Sequence, residues 1–199
     1  MGHLRGAEEI REAFGLQQVI FIPAAIPPHK VAGEVIEAKH RFEMVRLAIA
    51  ANPFFSITDI ELSRPEKSYS IDTIRYFRER YQEVFFILGR DAFMEIETWK
   101  EFQHLFSLCS FIVMTRPGFQ KTFSTSPIPE ALVPVFHYDQ EVKGWIHTSG
   151  HTLCFKEITI LDISSTKVRE LIERGESVRY LIPGDVEAYI QKNRLYRKN

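Results

Sequence analysis

Three hydroxyl residues in a row, Ser164, Ser165 and Thr166, stand shortly before Arg169, and the run begins where an apolar stretch gives way to helical periodicity. Side-chain and backbone donors at such a junction collect where the helix dipole favours negative charge, which suits a phosphate group. Arg169, about one helical turn further on, can add a planar two-pronged contact to phosphate oxygens. The same residues also fit plain capping of a helix by Ser164 or Ser165 with Arg169 in solvent, and spacing alone leaves both readings open.

Four other places follow or precede apolar runs, where open α/β sheets bind their ligands. Gly2-His3 opens the chain. Pro27-Pro28-His29-Lys30 is a stiff turn that carries a titratable ring and a cation, either a binding loop or a basic surface turn. Gly89-Arg90-Asp91 allows close backbone approach and offers a carboxylate that can bond ribose hydroxyls, although a solvated turn has the same composition. Thr98-Trp99 presents an indole that either stacks on an aromatic ligand or fills the core between Phe93 and Phe102.

The elements that must position these residues alternate short apolar runs with amphipathic stretches, the pattern of an α/β protein with a parallel sheet covered by helices on both faces. His3 to Phe14 reads as a helix that Gly15 ends in the left-handed conformation. Strands are expected at 18–22, 54–62, 84–88, 110–115 and 152–161. Helices are expected at about 38–51, from a cap at Ser70 onward, around 99–106, over 164–174 and from Pro183 to about Arg194. Phe119 to Gly150 is rich in Pro, Ser, Thr and Gly without sustained periodicity and reads as an irregular insertion in a single domain spanning 1–199.

Composition narrows the partners. The 199 residues are 45% hydrophobic, enough for one sizeable core. Lys plus Arg total 25 against 26 Asp plus Glu, so no global positive field exists to gather nucleic acid or an anionic membrane. The basic residues Lys192, Arg194, Arg197 and Lys198 read as a solvated helix end. No apolar run is long enough to span a bilayer, and the expected location is cytoplasmic. Cys109 and Cys154 sit in apolar runs as small hydrophobes, and the seven histidines lack metal-ligand spacing.

Taken in order, Gly2-His3-Leu4-Arg5 with Ala7-Glu8-Glu9, Phe21-Ile22-Pro23-Ala24 with Pro27-Pro28-His29-Lys30, and Ser68-Tyr69-Ser70 with Asp72-Thr73 form the first part of a longer pattern. Gly89-Arg90-Asp91, Thr98-Trp99, Thr115-Arg116-Pro117-Gly118 and Ile163-Ser164-Ser165-Thr166 with Arg169 complete it. The whole set resembles the bacterial nicotinate-nucleotide adenylyltransferases of the HxGH nucleotidyltransferase superfamily.

The resemblance implies a Rossmann-like sheet and the reaction of ATP with nicotinate mononucleotide, giving deamido-NAD and pyrophosphate with Mg2+ accompanying ATP. It makes His3 the second histidine of HxGH, stabilising the α-phosphate in the transition state. It assigns Gly2, His3, Gly89, Asp91, Ser164, Ser165, Thr166 and Arg169 to ATP. Trp99 is then the residue that stacks on the nicotinate ring, with Thr73, Pro28, His29, Lys30 and Arg116 near that substrate. A pocket for another small phosphate such as phosphopantetheine is the nearest rival, and a non-catalytic nucleotide-binding remnant is the rival from a different class.

Family members carry a buried strand and a turn of the form GGTFDPxH before their Gly-His. This sequence has no strand before its first helix, so the first histidine of the motif is absent. The expectations that follow are a natural start upstream of Met1, a sheet lacking its first strand, and little adenylyl transfer by the 199 residues alone. The mass of the native protein and pyrophosphate release by the two versions test them.

Overall fold

The computed structural model describes residues 1–24, 36–64, 68–118 and 127–197. The chain divides into two compact units, Met1–Ser68 with Ile160–Asn199, and Tyr69–Thr159.

In the first unit, α1 (Gly2–Ala13) buries Gly6, Ala7 and Ile10 on one stripe. It ends as the sequence predicts. Gly15 takes φ +62°, and the Leu16 N–H reaches back to the Arg11 carbonyl at 2.9 Å, closing the last turn. Strands β1 (Val19–Phe21) and β2 (Phe55–Ile57) pair in parallel, Val19 opposite Phe55 and Phe21 opposite Ile57. α1 is tied to the approach to β2 by Glu8, which accepts from Arg11 at 2.6 Å and from Asn52 at 2.8 Å. The hydrogen bond from Arg11, then that from Asn52, holds the Glu8 carboxyl below the usual carboxylate range. α2 (Ala38–Ile49) packs on α7 (Gly184–Lys192), with Met44, Leu47 and Ala48 against buried Val186, Ile190 and Leu195. α6 (Ser165–Glu173) contributes Ile172 to the same cluster.

The second unit holds a five-stranded sheet in the order β3-β4-β7-β6-β5. β3 (Phe85–Gly89), β4 (Ser110–Thr115) and β7 (Thr152–Glu157) run parallel, with Gly89 opposite Met114 and Thr115 opposite Glu157. β5 (Phe136–Asp139) and β6 (Gly144–His147) extend it in antiparallel fashion. α3 (Ser70–Arg78), α4 (Arg90–Met94) and α5 (Phe102–Leu108) belong to this unit. β4 is buried on both faces: Phe111, Ile112 and Val113 are 0% exposed, which explains its unbroken apolar run. Phe106 packs on Phe111 with ring centroids 4.5 Å apart, and fully burying one such side chain stabilises by about 1.5–3 kcal/mol.

Several expectations are corrected. The α/β class and the parallel pairing of β1–β2 and β3-β4-β7 are as expected; what the sequence did not indicate is the antiparallel pair β5 and β6 and the separation of β1–β2 into its own ladder. The segment read as an irregular insertion contains a 3-10 turn (Glu130–Val135) and both antiparallel strands. Its edge strand buries only Phe136 while His137 and Tyr138 are exposed, so no apolar alternation announced it. Tyr69, not Ser70, is the N-cap of α3, and no side chain caps that end. Trp99 lies in an extended link (φ −79°, ψ 145°) after a 3-10 turn, and the helix begins only at Phe102. The strands expected at 54–62 and 152–161 are shorter, because β2 and β7 stop once their ladder partners end.

Candidate functional site

Each unit carries its own group of the residues singled out by sequence. In the first, α1 starts at Gly2, with His3 exposed in the opening turn. A Cβ built on Gly2 would lie 3.8 Å from the Leu161 carbonyl oxygen. That same carbonyl accepts from the Ile163 N–H at 2.7 Å, a tight turn that delivers the chain to Ser164. The Gly-His start and the hydroxyl run, far apart in sequence, are thereby brought together.

Ser164 is the N-cap of α6, in extended geometry (φ −101°, ψ 146°), and its hydroxyl accepts from the Lys167 N–H at 3.1 Å. The capping reading therefore describes the Ser164 side chain in this structure. Ser165 and Thr166 are exposed, and N–H groups in a first helical turn have no intrahelical acceptor, so the end still attracts an anion. Arg169 is half-buried and donates to the Thr166 hydroxyl at 3.1 Å, which holds its guanidinium over that turn. Arg169 and Arg41 both lie close enough to Tyr196 to oppose the rise in its pKa that burial causes.

In the second unit, register places the ends of β3 and β4 side by side, so Gly89, Asp91 and Arg116 gather at the carboxyl edge of the parallel strands. Gly89 has φ −78°, and a Cβ there would meet nothing within 4 Å. Neither backbone strain nor packing requires glycine at this point, and open space stands where a side chain would project. Asp91 is exposed in the first turn of α4, where a carboxylate also suits the helix dipole. Arg116 is exposed and makes no hydrogen bond or ion pair among the described residues. Trp99 is half-buried and packs edge-on against Phe86, with centroids 5.9 Å apart and planes at 80°. The structure thus gives the indole a place at the rim of the core, with part of its surface open.

Thr73 does not present itself in this way. It is 2% exposed, between buried Ile71 and Ile74 on α3, so its hydroxyl offers no open surface beside the other residues. Pro28, His29 and Lys30 lie outside the described residues. Among the described residues no three His, Cys, Asp or Glu side chains converge to cage a metal ion.

One residue that sequence reading passed over is Arg41 on α2. Its Nη1 donates to the Ala24 carbonyl at 2.6 Å and its Nε to the Ile36 carbonyl at 3.3 Å. Burial, opposed by Tyr196, lowers its pKa from the ordinary arginine value. The sequence signal was available: Arg41 precedes Met44 and Ala48 at the three- and seven-residue steps of their apolar stripe, an unusual place for a cation unless it has buried acceptors.

With this geometry in hand, three comparisons bear on the chain. A family model described as cytidylyltransferase-like matches residues 1–171. A nicotinic acid mononucleotide adenylyltransferase of Plasmodium falciparum, solved as a complex with NaAD, has a TM-score of 0.65 at 19% identity, covering 96% of this chain and 90% of that one. That likeness shows the fold, a Rossmann-like α/β arrangement. A Geotalea daltonii protein named "Probable nicotinate-nucleotide adenylyltransferase" is 45% identical over 98% of this chain and 91% of its own length. A Citrifermentans bemidjiense protein of the same name is 46% identical over the same shares. The chain belongs to the cytidylyltransferase-like family and, within it, to the nicotinate-nucleotide adenylyltransferases.

Proposed function

We propose that the chain transfers the adenylyl group of ATP to nicotinate mononucleotide, forming deamido-NAD and releasing pyrophosphate. The nucleotide's phosphate oxygen attacks the α-phosphorus of ATP in line and the bond to the β-phosphate oxygen breaks, so no bond to the protein forms. The protein's task is then to position two polyanions and offset the charge that develops between them. Magnesium enters as part of the ATP substrate, bound by its phosphates.

The α6 N-terminus, with Ser165, Thr166 and Arg169, holds ATP phosphates, and His3 donates to the α-phosphate as negative charge grows there. Gly89 and Asp91 serve the adenosine part. Trp99 stacks on the nicotinate ring, and Arg116 serves that substrate's anionic groups; Pro28, His29, Lys30 and Thr73 remain assigned to it on the strength of the sequence pattern. The observation that carries the reading is the approach of Gly2 to Leu161, which joins the Gly-His start to the phosphate-binding turn at Ser164.

The test is calorimetric titration of the purified chain with ATP and with nicotinate mononucleotide, followed by chromatographic detection of deamido-NAD and pyrophosphate when both are present. Binding of both substrates is expected, with deamido-NAD and pyrophosphate as the products of any turnover. Binding of phosphopantetheine in preference to nicotinate mononucleotide would sink the reading, and so would ATP binding with no pyridine nucleotide bound at all.

A further inference from the structure

We infer that Arg75 is a positioning residue for Trp99, because its ion pair with Glu101 holds a left-handed turn of the backbone two residues beyond the indole. The inference rests on the proposed function, in which that indole stacks on the nicotinate ring.

Glu101 stands between the extended link at Trp99 and the helix that starts at Phe102, and its backbone has φ 53° and ψ 39°. A residue with a Cβ stays in that region only where its surroundings hold it there. The carboxylate supplies such a hold, since Glu101 Oε2 accepts from Arg75 Nη2 at 2.7 Å and ties the link to α3. Lys100 adds a second tie. Its Nζ lies 3.8 Å from Asp72 Oδ2 and 4.5 Å from the centre of the Tyr69 ring. Asp72 Oδ1 is also 3.6 Å from Arg75 Nη1, so charges of alternating sign run between α3 and the link. Tyr69 and Asp72 belong to the sequence pattern, yet neither has a ligand to serve in the proposed site; holding Lys100 gives both a task.

This network is poorly suited to stabilising the fold. Its four charged side chains are 35–47% exposed, and ion pairs so open to water add little to stability. What they restrict is the backbone on which the indole stands. Among the described aromatic rings only Phe86 packs against Trp99, and it does so edge-on. An indole already held in its stacking direction has less freedom to lose when a ligand ring arrives. Affinity for the pyridine nucleotide should therefore depend on Arg75 and Glu101, although neither need touch it.

The experiment reads Trp99 directly. In a Trp145→Phe background Trp99 is the only tryptophan, and its time-resolved fluorescence anisotropy reports how freely it turns. Arg75→Glu, Glu101→Arg and the double substitution are compared there by anisotropy, by thermal melting and by titration with nicotinate mononucleotide and, separately, ATP. Each single substitution sets like charges face to face, and the double restores an opposite pair with its polarity reversed. Both singles should give Trp99 a larger fast local motion and raise the dissociation constant for nicotinate mononucleotide about fivefold, the order expected when one side chain must be ordered on binding. The double should return to within about twofold of the parent, and ATP affinity should change less than about twofold throughout. Because the singles alter local charge in opposite directions, a loss in both cannot come from the net field. Unchanged Trp99 motion in the singles overturns the inference, as does a double no better than the singles, an equal loss of ATP affinity, or a single variant that no longer folds. Trp99 motion that loosens and recovers while nicotinate mononucleotide binds equally, or not at all, in every protein would instead uphold the clamp and defeat the stacking in the proposed function.

Discussion

The α-carbon of Gly2 faces the carbonyl oxygen of Leu161 across a gap that a methyl group would fill to 3.8 Å, ordinary van der Waals contact. The fold therefore has room for alanine at residue 2, and alanine is also the better helix former. Gly2→Ala should melt at or slightly above the wild-type temperature. If ATP phosphate approaches this backbone, the same methyl group should weaken ATP binding by about tenfold, roughly 1.4 kcal/mol. Titration beside a melting curve tests this, and undiminished ATP affinity would remove Gly2 from the site.

Trp99 separates core packing from ligand stacking. Trp99→Phe keeps an aromatic ring against Phe86, and Trp99→Leu keeps bulk without a π-face. Stacking of a base on an aromatic side chain contributes about 1–3 kcal/mol, so Trp99→Leu should lose that much nicotinate mononucleotide affinity while Trp99→Phe loses less. Affinity for ATP should hold in both. Equal binding of the pyridine nucleotide by all three proteins would show that the indole only fills the rim of the core.

Stability should decline in mild acid. His147 is 8% exposed, and its Nδ1 accepts from the Ser149 N–H at 3.1 Å, which favours the neutral ring. Burial first, and then His151, lower its pKa below the ordinary 6.5; burial and then Arg78 do the same for His151. The unfolded chain therefore binds protons before the folded one does. The contribution is fully present above pH 6.5 and is lost as pH falls through the depressed folded values. The slope of Tm against pH below 6.5 should be shallower in His147→Asn, whose amide oxygen can replace the acceptor; an unchanged slope would clear His147.

Both thiols should be silent in the folded protein. Burial pushes Cys109 up to about 12, against the smaller opposing effect of Arg78, and burial also raises Cys154. Since the thiolate is the reactive form, a disulfide reagent at pH 8 should label neither cysteine until denaturant is added, and then both. Prompt labelling of either in native buffer would contradict the burial.

Apolar patterning reveals structure where the buried positions of one face or of both are filled by apolar side chains, and fails where those positions are few or mixed in type. The α1 stripe of Ala7 and Ile10, the stop at Gly15 and the apolar run of β4 were legible because each has a single physical cause. β5 and β6 were not: their buried positions are filled by an irregular set, Phe136, Gly144 and His147, that no alternation rule selects. The same limit applies to the site. Ser164 to Arg169 could be read because a helix start has its own chemistry, whereas the hydrogen bonds from Arg41 to the Ala24 and Ile36 carbonyls depend on a closeness that is a tertiary fact. Thr73 was chosen by its place in a motif, and its burial depends on which face of α3 turns inward.

The reversal of direction at β6 sorts the surface of the second unit for practical use. Because Trp145 pairs with Leu153 and Ile146 with Thr152, the exposed turn 148–150 lies at the amino end of β7, on the rim opposite to Gly89 and Arg116. A fluorophore or a surface tether attached at Thr148 would leave that far rim unobstructed, which makes the turn a handle for immobilised binding measurements.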